Sequence, residues 1–289
     1  MADFEQLLNS RDCCTAGAHP PKATAFSEQE PARGSFQLVD GFECYLSMPA
    51  EAPRGIVLVI HDIFGLHTGR HAHICDEFAG SGYIAVCPDL FGDGIARAQA
   101  GMFSAWPPKQ VRNILDLICG CKLGFLRRTV RMSWEVDILP KIKATLLWAR
   151  QLHSEVTQCF VIGFCWGGRP TARMLSMEVA ATLPVPVRCG AIFHPSLRDK
   201  KETPSLIASL SRPLLLAPAG DDPPELQPGG EIAKTISARF GRPSSPAVIA
   251  FPSMIHGFMT RGPLSDPQIA SEYTRGMDAA LSFFQAHSA

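Results

Sequence analysis

The sequence predicts an α/β protein built around a mostly parallel sheet, and three observations predict it. Ile56-Val57-Leu58-Val59-Ile60 is short, wholly apolar and rich in β-branched residues, the composition of a strand buried on both faces. Similar runs recur at Tyr83 to Val86, Phe160 to Ile162, Gly190 to Phe193, Leu214 to Leu216 and Val248 to Phe251, with helical stretches between them. The run at Phe160 leads directly into Gly163-Phe164-Cys165-Trp166-Gly167-Gly168 and then into a helical stretch, which is a strand, a tight turn and a helix in sequence.

Residues 1–34 are polar and irregular, interrupted by His19-Pro20-Pro21 and Pro31, and read as an N-terminal arm. Residues 35–289 read as one domain. Phe36 to Leu46 alternates as a hairpin does, with Asp40-Gly41 as its tight turn. Helices are predicted over Glu135 to Leu152, over Pro170 to Thr182, and from the early 230s to Phe240. A closing helix over Pro267 to Ala286 sets Ile269, Tyr273, Met277, Leu281 and Phe284 at three- and four-residue steps along one face. The span 101–131 holds Trp106-Pro107-Pro108 and the basic residues Lys122, Arg127, Arg128 and Arg131; too long for a plain connection, it reads as an insertion or lid.

Composition excludes several classes. The chain has 289 residues, 27 Lys+Arg against 27 Asp+Glu and 46% hydrophobic residues, which rules out disorder, collagen-like repeats and coiled coil. No apolar run approaches the roughly 20 residues that span a bilayer. The acidic and basic residues Asp3, Glu5, Arg11 and Asp12 leave no signal-peptide core, so a cytoplasmic protein without a membrane partner is expected. Ten cysteines in so long a chain read as reduced thiols rather than as a disulfide scaffold. Neutral charge argues against a nucleic-acid partner. His67, His71 and His73 lack an acidic or cysteine partner in a metal pattern and read as a solvated helix start, so no metal is expected, and without a dinucleotide fingerprint no cofactor either.

Chemistry concentrates at the turn, which is the G-x-S-x-G nucleophile motif with sulfur in place of oxygen. Glycines are required there because the chain reverses sharply while strand and helix approach closely. The turn presents Cys165 at a helix start, where a thiolate is favoured and the Trp166 N–H faces a developing oxyanion. A buried structural cysteine beside packing glycines is the competing interpretation. Such a motif calls for an acid and then a histidine, each past a later strand. Asp221 and Asp222 follow the Leu214 run and His256 follows the Val248 run. On local evidence either carboxylate serves to orient His256, which takes the thiol proton and later activates water.

With these residues in place the chain resembles the dienelactone hydrolases, or carboxymethylenebutenolidases, of the α/β-hydrolase fold. The resemblance runs from about Gly55 to the C-terminus. It is carried by His61-Asp62-Ile63-Phe64-Gly65-Leu66, Pro88-Asp89-Leu90-Phe91, the Cys165 turn with its Trp-Gly-Gly, Asp222-Pro223 and His256-Gly257-Phe258. The Cys13-Cys14 pair in the arm is similar to eukaryotic, particularly fungal, members. The resemblance implies Cys165 as nucleophile, Asp222 as the acid, His256 as base, and Ile63 and Trp166 as backbone oxyanion donors. Bacterial-type members carry Glu where this chain has Asp62, a thiol-activating position that is here one methylene shorter. Arginines hold the substrate carboxylate in the family; Arg261 is the best-placed counterpart, with Phe64 beside the substrate, ahead of Arg97 and the cluster at Arg127, Arg128 and Arg131.

Thiolate chemistry narrows the substrate independently. A tetrahedral intermediate expels the better leaving group, and a thiol leaves far more readily than an alkoxide. Activated esters, enol lactones, phenyl esters and thioesters are therefore the expected substrates, with anionic ones favoured by Arg261. A broader carboxylesterase or thioesterase acting on a polyketide-like metabolite, and a non-catalytic binding module on the same fold, are the alternatives. Monomer and homodimer both remain open.

Overall fold

The computed structural model describes residues 32–91, 132–197, 199 and 201–288. The predicted arm, apart from its last three residues, and the predicted 101–131 excursion lie outside the described residues, as do Arg97, Arg127, Arg128 and Arg131.

Seven strands form one sheet in the order β1-β2-β4-β3-β5-β6-β7. They are β1 (Ser35–Val39), β2 (Phe42–Ser47), β3 (Ile56–Ile60), β4 (Ile84–Pro88), β5 (Cys159–Phe164), β6 (Val187–Phe193) and β7 (Leu214–Ala217). The first two make the predicted hairpin, with Asp40 and Gly41 both at positive φ (47° and 85°), the signature of a tight primed turn. β2 also pairs antiparallel with β4, and every pairing from β4 to β7 is parallel. This is the α/β-hydrolase architecture.

Alternation along β3 shows how helices on both faces are satisfied. Ile56, Leu58 and Ile60 face a layer of α2 (Leu139–Leu152), α3 (Gly168–Met174), α4 (Met177–Ala180), α5 (Glu202–Ala208) and α6 (Glu231–Phe240). Val57 and Val59 face α1 (His71–Gly80), the short α7 (Phe258–Arg261) and the closing α8 (Pro267–Ala286). α8 begins where its residues dictate: Asp266 Oδ1 accepts the Gln268 and Ile269 N–H groups, and Pro267 occupies the first turn. Ile269, Tyr273, Met277 and Phe284 are buried on one face as predicted, while Leu281 sits at its margin and Ala280 and Phe283 take the inner positions.

Three elements differ from the sequence expectation. The helix over Glu135 to Leu152 opens with a π-helical turn, Trp134–Ile138, capped by the Ser133 hydroxyl. The single helix over Pro170 to Thr182 is two, because the Leu175 carbonyl accepts the Ser211 N–H and the Met177 N–H bonds to Ser209, diverting the ladder into a neighbouring chain segment. The Val248 run is not a regular strand but bridges β7's edge in parallel at Leu216–Val248 and Ala219–Phe251. Pro218, Pro246 and Pro252 supply no N–H there, so a continuous ladder cannot form.

Candidate active site

The loops leaving the C-terminal ends of β3, β5, β6 and β7 converge, where ligands bind in open α/β sheets. At the end of β5, Cys165 adopts φ +53°, a left-handed conformation that a non-glycine residue holds only when its surroundings impose it. The glycines impose it. A Cβ at Gly163 would lie 2.3 Å from the Gly167 carbonyl oxygen and 2.3 Å from Thr171 Oγ1, and one at Gly167 would lie 2.5 Å from the Ile60 oxygen. The elbow is therefore a close approach of β5, α3 and β3 backbone, with the Cys165 side chain buried at its tip.

The acid and the histidine arrive on two abutting loops. Gly220 N–H donates to the Met254 carbonyl at 2.8 Å, and a Cβ on Gly220 would collide with the Pro252 oxygen at 2.2 Å. Asp222 Oδ1 lies 2.7 Å from His256 Nδ1, and its Oδ2 accepts the Ala219 N–H at 2.7 Å. Asp221 Oδ1 accepts the backbone N–H of His256 at 2.6 Å. Both carboxylates thus serve the same histidine, one through its ring and one through its backbone. The ring contact thus falls to Asp222, the carboxylate that the resemblance implies, and the backbone contact to Asp221.

Electrostatics couple the three groups. Burial opposes a charge on His256, but the Cys165 sulfur, through its charge, and hydrogen bonds with Asp222 and Cys165 raise the imidazole from 6.5 to about 10. Burial pushes the Asp222 carboxyl up, against the lowering effect of its two donors. With Nδ1 engaged by Asp222, Nε2 is the nitrogen turned to sulfur. This balance favours the charged imidazolium on His256. A Cys165→Ala variant should therefore drop the His256 pKa by more than a unit, since burial would then be opposed by Asp222 alone. Titration of the His256 ring protons by NMR in both proteins measures it.

Around the loop after β3 the backbone is held group by group. The Asp62 N–H donates to His71 Nε2 at 3.3 Å, the Phe64 N–H to Asp62 Oδ1 at 2.9 Å, and the Gly65 N–H to the Asp62 carbonyl at 3.1 Å. Bracketed by these, Ile63 packs directly against Cys165. Trp166 stacks on His61, whose Nε2 accepts the Leu90 N–H at 3.1 Å. His71 is fully buried, with burial lowering its pKa to about 4. The predicted solvated helix start is thus part of the interior, although His67 does reach a surface partner, Glu43, at 2.9 Å.

Asp62 and Arg261 meet each other. Asp62 Oδ2 lies 3.2 Å from Arg261 Nε and accepts the Thr260 hydroxyl at 3.0 Å, with both charged side chains buried. Burial would raise the Asp62 carboxyl, but Arg261 foremost, then His71, the Phe64 N–H and the Thr260 hydroxyl, hold it below the ordinary range. The Arg261 guanidinium also sits 4.4 Å over the Phe64 ring. α7 is itself clamped: Arg70 donates to the carbonyls of Phe258, Met259 and Gly262.

Two residues that the sequence reading did not single out belong to this site. Ser196 Oγ lies 3.3 Å from Cys165 Sγ. His194 follows β6 at φ +37°, its ring 5.0 Å from that of His256, both ring nitrogens buried without a hydrogen-bond partner and its pKa pushed well down by burial. The available signal was a polar His-Pro-Ser following a wholly apolar strand. Among the described residues no cluster of His, Cys, Asp or Glu is arranged to hold a metal ion.

Comparison with known proteins gives a consistent result. The model of the Dienelactone hydrolase family matches residues 42–288. The chain is 23% identical over 287 residues to the Hydrolase tropI of Talaromyces stipitatus, covering 97% of each chain. It is 25% identical over 177 residues to a Carboxymethylenebutenolidase homolog of Xenopus tropicalis, 61% of either length. In structure it is similar to the dienelactone hydrolase of Anabaena variabilis, with a TM-score of 0.52 at 13% identity, covering 89% of this chain and 99% of that one. At that identity the likeness speaks for the fold.

Proposed function

Because the chain belongs to the dienelactone hydrolase family and is a carboxylic-ester hydrolase, we propose that it opens activated esters and enol lactones of the dienelactone type through a thioester on Cys165. The observation that carries this reading is the 2.7 Å contact of His256 with Asp222 together with the rise of the imidazole pKa beside the Cys165 sulfur.

The thiolate attacks the ester carbonyl, forming a C–S bond, and the carbonyl oxygen gathers charge next to the Ile63 and Trp166 amides. As the C–O bond breaks, the leaving oxygen takes the proton from His256 Nε2. Sulfur is now neutral in the thioester, so the charge that raised the imidazole pKa has gone. The neutral ring removes a proton from water, hydroxide adds to the thioester, and the C–S bond breaks to return thiolate and imidazolium. One charge on sulfur thus sets His256 as acid before acylation and as base after it.

Asp62 enters through Arg261: their buried pair fixes the guanidinium over Phe64, next in sequence to Ile63, and we read this placement as the one that orients a substrate carboxylate. The domain, proposed over residues 35–289, acts without a metal or organic cofactor in this scheme.

The test is the leaving group. Hydrolysis of 4-nitrophenyl acetate and of a dienelactone should exceed that of ethyl acetate by about 10³-fold or more, since thiolate re-expulsion defeats a poor leaving group. Intact-mass spectra should show an acetyl adduct during turnover. Comparable rates for the phenyl and ethyl esters would overturn the thioester route.

A further inference from the structure

We propose that Ser196 is a further catalytic residue, whose hydroxyl donates a hydrogen bond to the Cys165 sulfur and stabilises it as thiolate, both before attack and as it is expelled from the thioester. The inference rests on the reading of Cys165 as nucleophile.

The contact follows from the fold. β5 and β6 are parallel neighbours whose last paired residues are Phe164 and Phe193, so their two exit loops start level. One leads to Cys165. The other turns at His194, whose N–H donates to the Ala217 carbonyl at 2.9 Å, and returns toward the elbow. Ser196 is then joined to Cys165 twice: its N–H donates to the Cys165 carbonyl at 3.0 Å and its Oγ lies 3.3 Å from Sγ. Pro195, immediately before Ser196, lies over Gly168, where an added Cβ would lie 3.3 Å from the proline Cβ. The hydroxyl is held at the sulfur by backbone on both sides.

Direction of donation follows from chemistry. In the thiolate–imidazolium state the sulfur carries no proton, so the hydroxyl is the donor. Unlike His256 it stays neutral at every working pH and never competes for the proton being moved. Its effect differs between the half-reactions. During acylation the sulfur loses charge, so the bond favours the resting thiolate and acts chiefly by keeping the thiol ionised. During deacylation the sulfur gains charge, so the same bond strengthens toward the transition state and accelerates expulsion.

The experiment compares wild type with Ser196→Ala and Ser196→Thr. Alkylation of Cys165 by iodoacetamide is followed by mass spectrometry across pH, and the acetyl-enzyme fraction is read during 4-nitrophenyl acetate turnover. Loss of one hydrogen bond to a charged group should raise the midpoint of the alkylation profile by about one pH unit and slow deacylation about tenfold, so that acetyl-enzyme accumulates. The threonine variant should return both readouts toward wild type. An alkylation midpoint unmoved in Ser196→Ala would overturn the proposal, even if turnover fell, because a purely structural residue moves rate without moving the midpoint. Failure of the nucleophile reading would show earlier and differently, as wild-type protein with neither preferential Cys165 alkylation nor an acetyl adduct, and the proposal would fall with it.

Discussion

Cys165→Ala is expected to lower kcat/KM toward 4-nitrophenyl acetate by about 10⁴-fold or more while leaving the protein folded. The size follows from the way the three groups act as a unit. Without sulfur there is no covalent route, and His256 and Asp222 retain only general-base assistance to a water that the elbow does not position. The oxyanion-facing amides and the pocket remain, which sets the residual rate. Folding should survive because the strain at φ +53° is imposed by the approaching backbones at Gly163 and Gly167 rather than by the side chain. Cys165→Ser is the sharper companion. It restores an atom capable of attack but not one that ionises beside an imidazole at neutral pH, so it should recover only a small part of the loss. Steady-state kinetics with intact-mass detection of the acyl adduct distinguishes the three proteins. An alanine variant retaining a tenth of wild-type activity would remove sulfur from the mechanism.

The second large effect is on stability. Asp62→Asn should destabilise the fold by about 3–5 kcal/mol, because it leaves the buried Arg261 guanidinium without its counter-charge while changing shape hardly at all. Adding Arg261→Met should recover most of the loss, since two buried charges replaced together leave no orphan. Urea denaturation of wild type, single and double variants gives the numbers, and equal loss in single and double variants would mean the pair is not what holds α7. The pH dependence has a definite sign. The Asp62 carboxyl is held below its ordinary value in the folded protein, so its contribution is complete above the unfolded value near 3.8 and is lost as pH falls through the lower folded value. Acid should therefore weaken wild type more steeply than the double variant.

Much of this was legible before any coordinates. Runs such as Ile56 to Ile60 declare themselves because burial on both faces demands unbroken apolar, β-branched sequence. The elbow declares itself because only glycine tolerates the 2.3 Å and 2.5 Å approaches found at positions 163 and 167. The order of the candidate nucleophile, acid and base is likewise carried by spacing. Roles that depend on where two distant chain segments meet were not legible. Local sequence does not separate Asp221 from Asp222; the resemblance points to Asp222, and the packing of the Gly220 and Met254 loops gives it the ring of His256 and gives Asp221 the backbone. His71 reads as surface because a helix start rich in histidine is usually wet, yet it faces the Asp62 N–H from within the core. Ser196 shows in the sequence only as part of a polar His-Pro-Ser after an apolar strand, because what brings it to sulfur is the register of β5 against β6. The Val248 run misled in the other direction: its residues have strand character, but the flanking prolines withhold the donors a ladder needs.

The contacts that hold α7 against the loop after β3 also govern when the molecule becomes itself. The Thr260 hydroxyl reaches Asp62 across 198 positions of chain, and Arg70 reaches the Phe258 carbonyl across 188. Such long-range closures come late in folding and slow it. During synthesis at about 5–20 residues per second, the ribosome needs roughly 10–40 s between making Asp62 and making its partners. For that interval the nascent chain carries an acidic side chain, buried in the folded protein, without the partners that meet it there. A growing polypeptide halted before His256 contains β3, β5 and Cys165 but not the histidine proposed to act on that cysteine. On the proposed mechanism, reactivity is thus withheld until His256 has been made.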